Sequence, residues 1–298
     1  ASTNVEKKSI PILQAIECLD LAWPSSVVAG GLSCPTNQAS PSLALYTKGA
    51  APRVLPIGSV VGLGIRGPHF ELHSAVAQGA IGVGRSFVVT AGEDETVAEL
   101  DGVPALARLQ EVVDEVKSDE RIVRLIQRGL MVGVRDAANE DAYNAATDDD
   151  DFLIRQVLGA TKNGGLVIGD RVRAGTTRLR FHVRDEEAAS DDLRLLLSRY
   201  NLNRQFAGRF AAKPGERAPL PSGALLFACN GRGTNMFSPS ERPAHDSTMV
   251  RKMLGGAVPL GGFFCNGEIG PVGVAGISDA KSRAQLPGLT AVVAMMWG

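Results

Sequence analysis

Short apolar runs separated by glycine and polar residues make up most of the first 92 residues. Runs of this length, rich in valine and with alternating apolar positions, are typical of β-strands. They predict strands at residues 27–29, 43–46, 60–65, 70–76 and 86–90. Glycine clusters between the runs indicate turns and bends. The chain is therefore predicted to begin with a β-sheet.

Beyond residue 93 the pattern changes to apolar residues at helical spacing. Pro104 suits the first turn of a helix, and residues 104–116 are predicted to be helical from the apolar positions Leu106, Leu109, Val113 and Val116. A second helix, at residues 186–200, is predicted from a stripe that we expect to face the core: Ala189, Leu193, Leu196, Leu197 and Tyr200. Asp185 precedes this helix, and its carboxylate is expected to cap the free N–H groups of the first turn.

Strand-like runs return in the second part of the chain. They lie at residues 130–134, 152–157, 165–168, 177–183 and 289–297. In the fourth run, Leu179, Phe181 and Val183 alternate with polar residues, which is the period of a half-exposed strand. Strands that alternate irregularly with few helices argue against a doubly wound parallel sheet. We expect an α+β (mixed α/β) fold with mixed, mainly antiparallel β-sheets, helices packed outside, and two domains.

The composition is that of a globular protein of 298 residues. Hydrophobic residues make up 44% and charged residues 21%, and 31 basic against 32 acidic residues leave a net charge of -1. Nucleic acid is not an expected partner, because no basic stripe stands out. No membrane span is expected either, since the longest apolar run, 289–297, is shorter than the roughly 20 residues that a span needs.

Cysteine and histidine positions give no sign of a metal centre. The four cysteines are at positions 18, 34, 229 and 265, without Cys-x-x-Cys spacing. A reducing compartment is expected, with a Cys229–Cys265 disulfide as the minor alternative. His69 and His73 have no third ligand nearby, and the four aspartates at 148–151 lack the glycine and spacing of a calcium loop. We predict no metal site.

A short phrase occurs twice near the C-terminus. FACNGRG at residues 227–233 and FCNGEIG at residues 264–270 share a constant offset of 36 residues, which separates Cys229 from Cys265 and Arg232 from Glu268. Each phrase follows an apolar run and so predicts a buried strand that ends in a Cys-Asn-Gly turn. If the two strands are neighbours, an arginine and a glutamate meet at one rim of the sheet.

Arg232 and Glu268 allow two interpretations between which the sequence does not decide. A guanidinium clamps a carboxylate and a carboxylate accepts from an ammonium, so the pair and the turn N–H groups suit the two ends of an amino acid. Alternatively, the two side chains form an ion pair with each other. Cys229 and Cys265 would be nucleophiles only beside a base, for which His245 is the nearest candidate.

These phrases resemble the FIST (F-box and intracellular signal transduction) family. The resemblance rests on CNGRG at 229–233, PLGGFFCNGEIGP at 259–271 and a Leu-x-Gly-x-Thr element at 286–290. It extends upstream to AVAQG at 75–79 and FHVRD at 181–185. The resemblance therefore covers most of the chain from residue 70 onward.

The resemblance implies two domains. We expect a partial FIST N-like domain at residues 1–92 and a FIST C-like domain at residues 93–298. The chain opens at Ala1 without Met, so a processed or trimmed start is expected, with the first portion of the N domain lacking. Pro287 stands where the family typically has histidine, and if that histidine contacts ligand, binding is expected to be lost.

The family is thought to comprise intracellular sensory modules that bind small ligands, amino acids among them, without established catalysis. By motif, the resemblance implies these ligand-binding residues: Cys229, Asn230, Arg232, Gly267, Glu268 and Gly270. We expect a non-enzymatic module whose partner is a small polar metabolite or amino acid, with no cofactor. A pocket bordered by Arg232 and Glu268 is predicted, and Arg232→Ala is expected to abolish the ligand response at little loss of stability.

Two alternatives stay open. One is an accessory or scaffolding subunit of a larger assembly, plastid or photosynthetic, whose partners are other protein subunits. The other is a cysteine-dependent enzyme. The expected location is intracellular, with the chloroplast as the compartment under the first alternative.

Overall fold

The computed structural model describes most of the chain. The described residues are 12–33, 44–45, 49, 51–56, 59–136, 152–206, 219–240, 242, 244–271, 273–276 and 283–298. Cys34 and the aspartates at 148–151 lie outside the described residues.

Five α-helices occur in the described part of the chain. They are α1 (Ile12–Ala22), α2 (Ala105–Val116), α3 (Glu120–Arg128), α4 (Glu186–Phe206) and α5 (His245–Met253). α4 is the helix predicted at 186–200, and every residue of its predicted core stripe is buried. Asp185 caps α4 as predicted, because its Oδ1 accepts a hydrogen bond from the Ala188 N–H at 2.8 Å.

The described strands number fifteen and form two large sheets and one small one. They are β1 (Gly30–Ser33), β2 (Ala44–Leu45), β3 (Arg53–Val54), β4 (Glu71–Ala77), β5 (Ala80–Glu93), β6 (Thr96–Leu100), β7 (Val103–Pro104), β8 (Leu130–Asp136), β9 (Leu153–Ala160), β10 (Leu166–Ile168), β11 (Thr177–Arg184), β12 (Gly223–Cys229), β13 (Leu260–Ile269), β14 (Gly273–Ala275) and β15 (Ala291–Trp297). β2 and β3 pair only with each other among the described strands.

The first large sheet has the strand order β1-β13-β12-β15-β4-β14. Its β12–β13 pair is parallel, and the other neighbouring strands are antiparallel. One face carries Ala224, Leu226 and Val293, which pack with Leu193 of α4 and Val250 of α5 into a buried apolar cluster. α4 and α5 thus cover this face and exclude water from it.

The second large sheet closes into a barrel. Its order is β10-β9-β8-β11-β5-β6-β7, all antiparallel, and β10 also pairs with β6, so that six strands form a ring with β7 attached to β6. The apolar core cluster contains Phe87, Leu166 and Phe181 of the barrel together with Val112 of α2 and Leu125 of α3. Closure removes free strand edges, and two helices cover the outside.

The two sheets confirm the predicted α+β fold, which is mainly antiparallel with its helices outside. The strand predicted at residues 60–65 was wrong, since residues 59–69 form no strand. Val60, Leu63 and Ile65 there are exposed. The propensity of valine and isoleucine for strands reflects packing on a half-buried pleated surface, and this segment has no such surface beneath it.

The chain passes from the first sheet into the barrel through Gln78 and Gly79, which lie between β4 and β5. Gly79 has φ of +81°, and a Cβ at this position would meet Ala189 of α4 at 2.5 Å. Glycine therefore permits both the backbone conformation and the close approach of α4. This junction of the two sheets lies beside the candidate site.

Candidate functional site

The two repeated phrases lie side by side in the first sheet. β12 and β13 pair in parallel, from Ala224 opposite Leu260 to Cys229 opposite Cys265. The register of the strands therefore equals the 36-residue offset of the repeat. Parallel neighbours run toward the same edge of a sheet, so the two phrases meet at one rim, as the repeat predicts.

Only the first phrase leaves the sheet at its Cys-Asn-Gly segment. After Cys229, residues Asn230–Arg232 form one turn of 3-10 helix. The second phrase stays in β13, because β1 pairs with it from Ser33 opposite Cys265 to Gly30 opposite Ile269. The predicted second turn was therefore wrong.

The second Asn-Gly forms a bulge in β13. Between the pairs Ser33–Cys265 and Gly31–Glu268, two residues of β13 face one residue of β1. The extra residue is accommodated at Gly267, whose φ of +142° favours glycine. The Cys-Asn-Gly sequence of the first phrase thus forms a turn, whereas the same sequence in the second phrase forms a bulge, because β1 pairs beside it.

Gly31→Ala is expected to destabilise the protein by about 1–3 kcal/mol, because the added Cβ would collide with the Sγ of buried Cys265. The matched control is Gly30→Ala in the same strand, where the nearest atom would be Ile269 Cδ1 at 3.9 Å. Urea unfolding of both variants measures the difference. Equal stability of the two would show that β1 does not pack on Cys265 as described.

Arg232 is buried at the junction of the two sheets, with 1% of its surface exposed. Its Nε and Nη2 donate to the two carboxylate oxygens of Asp246 at 2.8 and 3.0 Å. Nη2 also donates to the Ala189 carbonyl and Nη1 to the Gln78 carbonyl, each at 3.2 Å. Four of its five N–H groups are thus used, and they connect α4, α5 and the link between β4 and β5.

The ion pair between Arg232 and Glu268, one of the two interpretations that the sequence left open, is not formed. The 3-10 turn directs Arg232 toward the N-terminal turn of α5, where Asp246 takes both ends of its guanidinium fork. Burial raises the pKa of Asp246, but hydrogen bonds from His245 and the charge and hydrogen bonds of Arg232 hold it below its ordinary value. Asp246 is therefore a paired buried carboxylate.

Glu268 is fully buried on β13. Its Oε2 accepts hydrogen bonds from the Thr290 backbone N–H at 3.1 Å and the Thr290 hydroxyl at 2.9 Å. Its Oε1 has no hydrogen-bond partner among the described residues. Burial raises the pKa of Glu268 to about 7, although hydrogen bonds from Thr290 and from the Gly267 backbone and the charge of Arg232 act in the opposite direction.

The Leu-x-Gly-x-Thr element at 286–290 folds over the rim. The Pro287 carbonyl accepts from the Glu268 N–H at 3.4 Å, and the Thr290 carbonyl accepts from the Cys229 N–H at 2.8 Å. Leu289 has φ of +62°, a conformation that non-glycine residues rarely adopt. The element thus joins the two phrases through its backbone, and Pro287 contributes its carbonyl.

The remaining predicted site residues lie around the contact between the 286–290 element and the two phrases. Asn230 is exposed, Cys229 and Gly267 are half-buried, and Gly270 is buried. Gly270 exchanges two backbone hydrogen bonds with Gln285, at 2.9 and 3.1 Å. The structure therefore gathers the residues of both phrases at one rim, with Arg232 directed to its own partners.

Cys229 and Cys265 are free thiols in the structure. Burial and the Glu268 charge raise the pKa of Cys229, which disfavours the reactive thiolate. His245, the candidate base, is engaged elsewhere: its ring nitrogens contact Asp246 at 3.0 Å and the Ser190 hydroxyl at 3.1 Å. These contacts do not favour the cysteine-dependent alternative.

A cleft of about 920 Å³ opens beside the first phrase and is lined by Arg184, Asn235 and Met236 among others. Neither Arg232 nor Glu268 lines it, so the predicted pocket bordered by both is not this cleft. Searching the described residues gave no group of three or more His, Cys, Asp or Glu side chains placed to hold a metal ion. Within those same residues, no helix is long and apolar enough to cross a membrane.

The sequence interpretation missed the partners of the two charged residues. Arg232 is held by Asp246, Gln78 and Ala189. These residues lie outside the repeated phrase, and no sequence motif links them to Arg232. Thr290 holds Glu268, and its place in the Leu-x-Gly-x-Thr element was a usable signal, since that element accompanied the phrases.

Comparison with protein families agrees with this architecture. The FIST N domain matches residues 5–103 and the FIST C domain matches residues 105–271. The chain therefore belongs to the FIST family, whose domains are as a class sensory modules of signal transduction. The predicted division at residue 92 stays a prediction.

The relatives are mycobacterial. The chain is 37% identical over 265 residues to the uncharacterized protein Rv0628c of Mycobacterium tuberculosis, covering 89% of this chain and 61% of the relative. It is 37% identical over 234 residues to the uncharacterized protein Mb0898c of Mycobacterium bovis, covering 78% of this chain and 52% of the relative. The chain thus spans about half to three fifths of these relatives. Their bacterial origin does not support the chloroplast prediction.

Proposed function

We propose that this chain is a non-enzymatic, intracellular sensory module that binds a small polar metabolite of the amino-acid class at the rim where the two phrases meet. The observation that carries the proposal is the carboxylate of Glu268. It is fully buried, and its Oε1 has no partner among the described residues. A buried acceptor without a donor is unfavourable, and an ammonium group of a ligand supplies the missing hydrogen bond.

The neighbours of Glu268 suit a polar ligand. Exposed Asn230 offers an amide donor and acceptor, and Cys229 and Gly267 lie at intermediate burial between it and the core. Arg232 has one N–H group left after its four hydrogen bonds. In this proposal the main role of Arg232 is to position the first phrase. Backbone N–H groups then donate more of the hydrogen bonds to the ligand's carboxylate than the guanidinium does.

A thermal-shift series with the twenty amino acids, at about pH 8 where Glu268 is ionised, tests the proposal. A ligand present at 100 times its dissociation constant is expected to stabilise the protein by about 2.7 kcal/mol. Glu268→Gln is expected to remove this response, because an amide does not attract an ammonium as a carboxylate does. Glu115→Gln, at an exposed position in α2, is the matched control and keeps it. A wild-type protein that responds to none of the amino acids contradicts the proposal.

The scaffolding alternative is favoured by a different observation. Phe263 and Phe264 of β13 are 44% and 51% exposed, and Leu225 of the neighbouring β12 is 37% exposed. Exposed apolar groups of this size on two neighbouring strands suit contact with another protein chain. In that case the protein is expected to purify with a partner through an interface of roughly 1,000 Å² or more, and to show no amino-acid response.

A further inference from the structure

The cleft of about 920 Å³ lies on the outside of the barrel, between α3 and the beginning of α4. Its size is that of a pocket for a small organic molecule. Because Arg232 and Glu268 are not among its lining residues, it is a separate feature from the rim of the two phrases. Its lining contains four arginines, three acidic residues at 185–187, the polar residues Gln156 and Asn235, and apolar side chains.

Four arginines line the cleft: Arg121, Arg124, Arg128 and Arg184. Two of them are paired. Arg121 Nη2 contacts Asp185 at 2.8 Å and Glu187 at 3.1 Å, and Arg124 Nη1 contacts Glu120 at 3.4 Å.

The other two arginines have no carboxylate partner among the described residues. Arg128 is exposed at the end of α3 and forms no ion pair there. Arg184 is half-buried at the end of β11, and its Nη1 donates a long hydrogen bond of 3.4 Å to the Gly231 carbonyl. Glu186 also lines the cleft but is exposed. Two guanidinium forks are thus available to an anion.

Apolar side chains form a further part of the wall, beside Gln156, Asn235 and the acidic residues at 185–187. Leu125 and Met131 are buried at the base, Leu130, Val157 and Met236 are half-buried, and Leu158 is 58% exposed. An apolar side chain that lines a cleft loses its contact with water when an apolar ligand covers it. The wall therefore suits a hydrocarbon chain beside the two forks.

We propose that this cleft is a second binding site, which takes an amphipathic anion: a carboxylate or phosphate group held by Arg128 and Arg184, with an apolar chain against Leu125, Met131 and Leu158. The site stands independently of the proposed rim site. Arg184 also contacts Gly231 of the first phrase, but only through Nη1, which leaves other N–H groups of the same guanidinium for the anion.

Isothermal titration with octanoate and with octyl phosphate tests the proposal and distinguishes the two headgroups. At least one of them is expected to bind saturably with a dissociation constant below about 1 mM. Arg128→Gln and Arg184→Gln are each expected to weaken that binding by about tenfold, the loss of a charge-assisted hydrogen bond. Arg194→Gln, at an exposed position of α4 paired with Asp191, is expected to change nothing.

The probes without one of the two parts give the decisive comparison. 1-Octanol, acetate and inorganic phosphate are each expected to bind at least about tenfold more weakly than the better amphipathic probe. If 1-octanol binds with the same affinity as octanoate, the role of the anion is overturned. If acetate or inorganic phosphate binds with the same affinity as the amphipathic probe, the role of the apolar wall is overturned.

Absence of saturable binding by both amphipathic probes overturns the site itself. Arg128 is exposed, so its variant is expected to fold normally even if the Arg184 variant does not. Unchanged affinity in the Arg128 variant then places the ligand elsewhere and overturns the proposal. Glu268→Gln is expected to leave octanoate binding unchanged, which separates this result from that of the rim site.

Discussion

Arg232→Ala is expected to destabilise the protein by about 3–5 kcal/mol, in contrast to the small loss of stability expected from the sequence. The side chain is 1% exposed and forms four hydrogen bonds, two of them to Asp246. Its removal leaves the buried Asp246 carboxylate without its guanidinium partner, and His245 Nδ1 at 3.0 Å is then its remaining side-chain contact among the described residues. An uncompensated buried charge is strongly unfavourable, and the carbonyls of Gln78 and Ala189 lose their donor as well.

Urea unfolding of the variant and of Arg194→Ala measures this effect. Arg194 is 56% exposed and pairs with Asp191 at 2.8 Å, so its loss is expected to change the free energy of unfolding by less than about 1 kcal/mol. A similar small change for Arg232→Ala would mean that the guanidinium is free, and would return it to the role of a ligand clamp.

The double variant Arg232→Ala, Asp246→Ala isolates the pair. It is expected to be less destabilised than the sum of the two single variants, by roughly 0.5–3 kcal/mol, because the second change removes the charge that the first leaves unpaired. Strict additivity would show that the two side chains do not interact.

The parts of the fold that depend on local pattern were predictable. The stripe from Ala189 to Tyr200 repeats at helical spacing, and α4 buries every member of it. The 36-residue offset is a property of the chain alone, and it equals the register of β12 on β13. In α2 the helical periodicity was correct: Leu109 and Val116 pack against the core cluster that contains Val112, while Leu106 is 43% exposed.

The parts that depend on distant partners were not predictable. The second phrase became a bulge because β1, more than 200 residues earlier, pairs along it, and nothing in the phrase itself encodes that neighbour. Likewise, the sequence placed Arg232 and Glu268 at one rim but left open which groups they bind. Asp246 and Thr290 settle this in the structure, and each approaches from an element outside the repeat.

Arg232 therefore stabilises the frame, and Glu268 is the chemically unsatisfied residue of the rim. The guanidinium fixes the turn after β12 to α4, α5 and the entrance of the barrel. The glutamate is held by one oxygen to Thr290 while the other oxygen has no described partner. Under the proposed function, a binding site needs a rigid frame around the group that meets the ligand, and we propose that the two halves of the repeat divide these tasks.

The pH dependence of stability is expected to reveal Glu268 directly. Its pKa is about 7 in the folded protein and 4.5 as its ordinary value, because burial disfavours the ionised form. Below about pH 4.5 the carboxyl is protonated in both states and its burial has no electrostatic penalty. As the pH rises toward 7 the unfolded state ionises first, so the free energy of unfolding falls, and above 7 the loss is complete.

The wild-type protein is therefore expected to lose stability relative to Glu268→Gln as the pH rises. Each pKa unit corresponds to about 1.4 kcal/mol, which gives a relative loss of about 2–3 kcal/mol between about pH 5 and pH 8. Urea unfolding of both proteins at several pH values measures it, and Glu115→Gln, at an exposed position of α2, is the control. A difference between wild type and Glu268→Gln that stays constant with pH would show that the carboxylate is already satisfied, and the rim would then lack the acceptor that an ammonium ligand requires.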